Sequence, residues 1–255
     1  MSLEIVTIPC LEDNYAFLLH ESDSGKTAAI DVPEAAPILT ALDARGWALS
    51  EIWLTHHHDD HIMGVQELQG ATGAVVLGAK ADAHRLPQLD RQVEDDEIFT
   101  FAGHDVRVMD VSFHTIGHVA FYVADAKAVF SADSLMALGC GRIFEGTAEQ
   151  GWVSLSKLAA LPPETLVCSG HEYTLSNGRF AMSVDASNTA LQERMAAVEQ
   201  ARKEGRPTVP SLLSEELATN PFLRAVSPEM KRSVGMEGAS DAEVFAEIRR
   251  RKDNF

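Results

Sequence analysis

Between residues 55 and 61 the chain reads Thr55-His56-His57-His58-Asp59-Asp60-His61. Within it, His56, His58, Asp60 and His61 form the pattern His-x-His-x-Asp-His. Imidazole nitrogen and carboxylate oxygen are the ligands of a borderline divalent cation such as zinc, and iron or manganese accepts similar sets. Packing gives no reason for the crowding, because cationic imidazoles repel one another and none suits an apolar core. A surface tag would supply the same residue types, but tags sit at termini and follow no strand.

The elements around the motif say how it is held. Residues 50–55 read as a short buried strand, and from Ile62 the apolar residues return at helical spacing. The cluster therefore sits on a strand-to-helix turn. Alternate residues of an extended segment share a face, so His56 and His58 point into one site and His57 points away. Asp60 and His61, where the chain turns, aim at a second point nearby, so two metals are expected rather than one. More ligands follow at the ends of other β-like runs. His114 comes after the run 106–111, Asp133 after 128–132 and His171 after 166–168. Loops at strand ends are where α/β folds place their sites. His118 is expected to support a ligand rather than be one, and His20, His84 and His104 read as ordinary surface or loop residues.

Further stretches carry a resemblance: Asp13-Asn14-Tyr15, Gly139-Cys140-Gly141-Arg142, Glu145-Gly146-Thr147, Gly170-His171-Glu172-Tyr173-Thr174, Asn220-Pro221-Phe222-Leu223-Arg224 and the tail Arg249-Arg250-Arg251-Lys252-Asp253. With the ordered histidines and aspartates, the chain resembles the metallo-β-lactamase superfamily and, within it, the glyoxalase II enzymes, hydroxyacylglutathione hydrolases. The resemblance implies that His56, His58 and His114 hold one divalent metal, that Asp60, His61 and His171 hold the other, and that Asp133 bridges them. Zinc is the first expectation, with iron or manganese acceptable. It further implies hydrolysis of S-(2-hydroxyacyl)glutathione, such as S-D-lactoylglutathione, by a metal-bridging hydroxide. The products are glutathione and a 2-hydroxy acid (D-lactate), in the second step of methylglyoxal detoxification. Asp60 is expected to orient the hydroxide as well as to ligate. Arg249 and Lys252 would bind the glycine carboxylate, and Arg142 and Tyr173 the glutathione backbone.

Three positions depart from the family pattern: Phe144 where tyrosine is common, Arg142 where lysine is common, and Ala132 where glycine is common. Two other kinds of reading compete. One is another enzyme of the superfamily, a persulfide dioxygenase or a lactonase. The other is a metal-binding protein without catalysis. The complete ligand set and the basic tail weigh against both.

Composition agrees with an enzyme acting on a small molecule. The 255 residues carry a formal net charge of −17, with a pI near 4.9, which argues against nucleic acid and anionic membranes as partners. No apolar run approaches the roughly 20 residues that span a bilayer. The N-terminus leads straight into a strand pattern, without a secretory signal. Three cysteines, Cys10, Cys140 and Cys168, are too few and too scattered for a disulfide framework. A cytoplasmic monomer is expected. Before residue 174, short β-like runs alternate with helical patterns; after it, helical composition dominates. The expected architecture is α/β, with a catalytic domain over 1–173 and a small helical substrate-binding domain over 174–255. The resemblance specifies a four-layered αβ/βα sandwich for the first. In the second, 181–202 reads as one helix, and 211–218 as a shorter one capped by a serine.

Overall fold

The structure is a computed structural model that describes residues 2–255. These fall into two compact units: the chain up to Asp110 with Thr115–Ala132, and Val111–His114 with Asp133–Phe255.

The first unit holds ten strands: β1 (Leu3–Cys10), β2 (Asn14–Glu21), β3 (Lys26–Ile30), β4 (Ala48–Trp53), β5 (Val75–Ala79), β6 (Arg91–Val93), β7 (Ile98–Phe101), β8 (His104–Asp110), β9 (Val119–Val123) and β10 (Ala128–Ala132). β1 to β6 form one sheet in sequence order, antiparallel from β1 to β3 and parallel from β3 to β6. β7 to β10 run antiparallel as a meander. Three α-helices lie in the unit: α1 (Ala35–Arg45), α2 (Asp59–Ile62) and α3 (Val65–Thr72).

Every residue of β2 is buried, and the period of two explains how. Ala16 and Leu18 join an apolar cluster with Ile38 and Leu42 of α1 and Leu68 of α3. Phe17 faces the other way, 5.8 Å from Phe130 of β10. On β4, Trp53 sits edge-on to Phe99 and Phe101, each 5.3 Å away, and 5.4 Å from Phe121. These rings pack against one another between the sheets. β6 and β7 escape the sequence pattern because they are short and flank the acidic stretch Glu94–Glu97.

The second unit contains the hairpin β11 (Leu135–Met136) and β12 (Gly139–Cys140), and the antiparallel pair β13 (Leu166–Ser169) and β14 (Ser211–Leu212). Its helices are α4 (Ala148–Ala159), α5 (Thr174–Val184), α6 (Thr189–Lys203), α7 (Leu213–Thr219), α8 (Pro228–Val234) and α9 (Asp241–Asp253). The single helix expected over 181–202 is two helices. α5 stops at Asp185, whose carboxylate accepts from Arg224 Nε at 2.8 Å, and Asn188 restarts the chain by capping the Leu191 amide. Ser211 does not cap α7. Its hydroxyl donates to Glu216 Oε1 at 2.6 Å, and Leu212 occupies the cap position. Helix α9 does begin on a reciprocal cap, between Ser240 and Glu243.

Candidate metal centre

Four of the predicted ligands lie on the first unit, just past β4. Their orientation is set by Asp31, at the end of β3. Asp31 is buried, and its carboxylate accepts from the Thr55 amide (2.9 Å), the Thr55 hydroxyl (2.8 Å) and His61 Nδ1 (2.8 Å). The consequences run through the tautomers. His61 donates from Nδ1, so its lone pair is on Nε2. The Thr55 hydroxyl gives its hydrogen to Asp31, so it can only accept from His56 Nδ1, 3.0 Å away. His56 therefore also carries its lone pair on Nε2, which faces His58 Nδ1 at 3.2 Å. Two nitrogens bound tetrahedrally to one ion at about 2.0–2.1 Å lie roughly 3.3 Å apart. The spacing of His56 and His58 fits a shared cation. Asp60 follows at the start of α2, with Oδ2 3.9 Å from His61 Nε2.

The second unit carries the other three. His114 donates from Nδ1 to the Arg142 carbonyl at 2.8 Å, which again puts the lone pair on Nε2. That nitrogen faces Asp133 Oδ2 at 3.5 Å, and His171 Nε2 lies 3.3 Å from the same oxygen. All three side chains are buried. An imidazole lone pair turned toward a carboxylate oxygen in a buried site is unfavourable unless a cation lies between them. The donor chemistry of both units therefore fits a divalent metal. Gly141 is needed here because a Cβ on it would lie 2.2 Å from the Asp133 carbonyl and 2.8 Å from His114 Nδ1. Ala132, just before Asp133, has φ 42°, in the left-handed region where glycine is at ease and alanine is strained by about 1–2 kcal/mol.

Known proteins resemble the chain along its whole length. The family model of the metallo-β-lactamase superfamily matches residues 22–171, more than half the chain, and that of the hydroxyacylglutathione hydrolase C-terminus matches 172–255. Hydroxyacylglutathione hydrolases from Ruegeria pomeroyi and Roseobacter denitrificans are 63% and 62% identical over 255 residues, covering 100% of this chain and of each relative. The chain belongs to the hydroxyacylglutathione hydrolase family. The fold of that family's superfamily also appears in the crystal structure of ETHE1 from Myxococcus xanthus. That structure has a TM-score of 0.66 at 22% identity, covering 98% of this chain and 90% of that one. The αβ/βα sandwich and a divalent-metal site follow from this membership.

The residues that the hydroxyacylglutathione hydrolase pattern assigns to substrate all lie on the second unit, and the structure divides them. Tyr173 is partly exposed and stacks on His171, with ring centroids 4.6 Å apart and planes 8° apart. Arg142 is mostly exposed, 5.8 Å from the Phe144 ring, with Nε 3.5 Å from Asp253 Oδ1. Lys252 Nζ lies 3.4 Å from the Ser176 carbonyl, between the rings of Phe180 and Phe255. Burial and then the neighbouring Arg249 lower its pKa below the usual lysine value. Arg249 itself is buried, and three of its five N–H groups are given to protein oxygens. It donates to the Cys140 carbonyl at 3.0 Å and to Asp253 Oδ1 at 2.8 and 3.1 Å. The Cys140 thiol offers no rival nucleophile, because burial pushes its pKa up to about 11.

Other expectations need correcting or adding to. His20 and His104 are buried rather than surface residues. His20 stacks on Trp47 at 3.9 Å, and His104 bonds Asp125 at 2.6 Å. His57 bonds the buried Asp82 at 2.9 Å, away from the ligand pair. His118 stacks on His56 at 4.6 Å. Sequence reasoning missed Asp31. The signal was there, since Asp31 ends an apolar run as Asp133 does.

Proposed function

We propose that the chain is a metal-dependent thiolester hydrolase that cleaves S-(2-hydroxyacyl)glutathione, with S-D-lactoylglutathione as the reference substrate, to glutathione and a 2-hydroxy acid. The observation that carries this reading is full-length identity of 56–63% to hydroxyacylglutathione hydrolases. The centre we propose is dinuclear and zinc-loaded. His56, His58 and His114 hold one ion, Asp60, His61 and His171 the other, and Asp133 is shared. The approach of His114 and His171 to one oxygen of Asp133 supports that last role.

When bound, paired divalent ions supply hydroxide at neutral pH and polarise the thioester carbonyl. The chain's own residues do the rest. Asp31 holds the imidazoles in the metal-binding tautomer. Asp60 accepts a hydrogen from the attacking water and aims its lone pair. The glutathione sulfur leaves as thiolate, so no strong general acid is required, and Tyr173 lies beside His171 to meet the substrate. We assign substrate binding to 174–255 together with Arg142 and Tyr173. Lys252 and Arg142 meet the anionic glutathione directly, while Arg249 holds the Cys140 carbonyl and Asp253 in place. A small-molecule substrate and no nucleic-acid or membrane partner suit the charge of −17. Among the described residues no helix is long and apolar enough to cross a membrane, and Cys10, Cys140 and Cys168 are unpaired thiols. The compartment we propose is the reducing cytoplasm, where thiols stay free, and the proposed assembly is a monomer.

The test is turnover of S-D-lactoylglutathione by purified protein, with metal content measured on the same sample. Chelator-sensitive hydrolysis with about two ions per chain is expected. A fully loaded protein without turnover would redirect the search to persulfide oxidation and lactone hydrolysis.

The substrate contact gives a further prediction. Lys252→Ala should raise KM by about tenfold or more, the worth of one charged hydrogen bond, with kcat little changed. Because the Lys252 pKa is lowered, KM of the wild type should climb with pH before the ordinary lysine range is reached. In Lys252→Arg, which stays charged, the climb should vanish. A flat wild-type profile would remove Lys252 from the substrate site.

A further inference from the structure

We infer that Asn14 is a positioning residue for Asp60, a role that rests on Asp60 being a metal ligand. Asn14 opens β2 and is 5% exposed. Its carboxamide nitrogen lies 3.0 Å from the Asp60 backbone carbonyl and 3.0 Å from Asp60 Oδ2. Both oxygens only accept, so the facing atom is the nitrogen, and its two hydrogens are both given to one residue. A donor that grips a residue by its peptide and its carboxylate together leaves the side chain one rotamer. Asp60 needs that restraint. It lies in the first turn of a four-residue helix, and its side chain is 40% exposed. An unrestrained aspartate there would sample several staggered wells.

The strands make the grip rigid. Asn14 pairs with Cys10 at the last rung of the β1–β2 ladder. In the turn between them Leu11 takes φ 49°, and its amide donates to Glu34 Oε2 at 2.5 Å. The turn that carries Asp60 is held from behind as well. The Val32 amide donates to the His61 carbonyl at 2.8 Å, and the Gly64 amide to the Val32 carbonyl at 2.9 Å. Two neighbouring ligands thus have separate holders, Asp31 for the His61 ring and Asn14 for the Asp60 carboxylate. With Oδ2 engaged by the amide, Asp60 is presented in a single orientation before any ion arrives. The role gives Asn14, at the centre of the Asp13-Asn14-Tyr15 stretch, a task of its own.

The experiment compares Asn14→Asp, Asn14→Ala and Asp60→Ala with the wild type. Asn14→Asp has the same shape but replaces the donor with an acceptor. Metal-free proteins are titrated with cobalt(II) and zinc(II) against a competing chelator. The visible spectrum of the cobalt form and thermal unfolding of the metal-free form are recorded alongside. Both Asn14 variants should weaken one ion by about 10–100-fold, the usual cost of losing an outer partner. The cobalt spectrum should shift, while the other ion and the metal-free melting temperature stay near wild type. Wild-type affinity and spectrum in both Asn14 variants, alongside an ion lost in Asp60→Ala, would overturn the inference. So would a lowered melting temperature with unchanged metal binding, which would make Asn14 merely structural. If Asp60→Ala kept both ions, the ligand reading itself would fall.

Discussion

Asp133→Ala should abolish the enzyme. Asp133 Oδ2 lies 3.5 Å from His114 Nε2 and 3.3 Å from His171 Nε2, so one oxygen faces two proposed ligands of different ions. Removing it takes a negative charge from between the two proposed metal sites. It also leaves two buried imidazoles without the anion they face. Losing an outer partner of a metal ligand typically costs about 10–100-fold. Losing a shared ligand should cost more than about a hundredfold in turnover, with metal content falling below that of the wild type. Elemental analysis and S-D-lactoylglutathione hydrolysis on one sample check this, with circular dichroism to confirm folding. A variant that kept its metal and its rate would remove Asp133 from the centre.

Asp31→Asn should cost the protein both stability and metal. The buried carboxylate accepts from the Thr55 amide, the Thr55 hydroxyl and His61 Nδ1. An asparagine of the same shape presents one acceptor and one donor, so at least one of these hydrogens meets an N–H. Asparagine tolerates the left-handed backbone at this position (φ 56°), so backbone strain does not confuse the result. A lost hydrogen bond to a charged group plus one stranded donor amounts to about 3 kcal/mol. Urea unfolding of the metal-free protein should show that loss. The variant should also bind metal about 10–100-fold more weakly, because the His56 and His61 tautomers are no longer enforced. Unchanged unfolding would mean that Thr55 and His61 find other acceptors.

Much of the centre was legible in the chain because metal chemistry restricts residue types. Few patterns other than a ligand set place His56, His58, Asp60 and His61 within six positions after an apolar run. The same logic found Asp133, a carboxylate just beyond β10. It did not find Asp31, although the pattern is alike, because nothing local shows that a carboxylate will meet imidazole rather than metal. Arg249 illustrates the converse. The run Arg249-Arg250-Arg251-Lys252 marks a basic tail, but on α9 Arg249 faces inward to Cys140 and Asp253 while Arg250 stays exposed.

Elements followed the same division. β2 was visible as a short apolar run, and β8 and α1 as periodic segments, since burial of one face imposes a period. β6, β7 and the break between α5 and α6 were not. Their extent depends on partners far along the chain, such as Arg224 holding Asp185. The sequence by itself determined which residue types could bind metal and to which family the chain is similar, because ligand chemistry and local periodicity are properties of residues and their neighbours. Tertiary structure alone decided which nitrogen of His56, His61 and His114 carries the lone pair, that Asp31 accepts from an imidazole while Asp133 faces two Nε2 atoms, and which arginine is exposed. Each of these depends on a hydrogen-bond partner brought from a distant segment, and no local rule records that meeting.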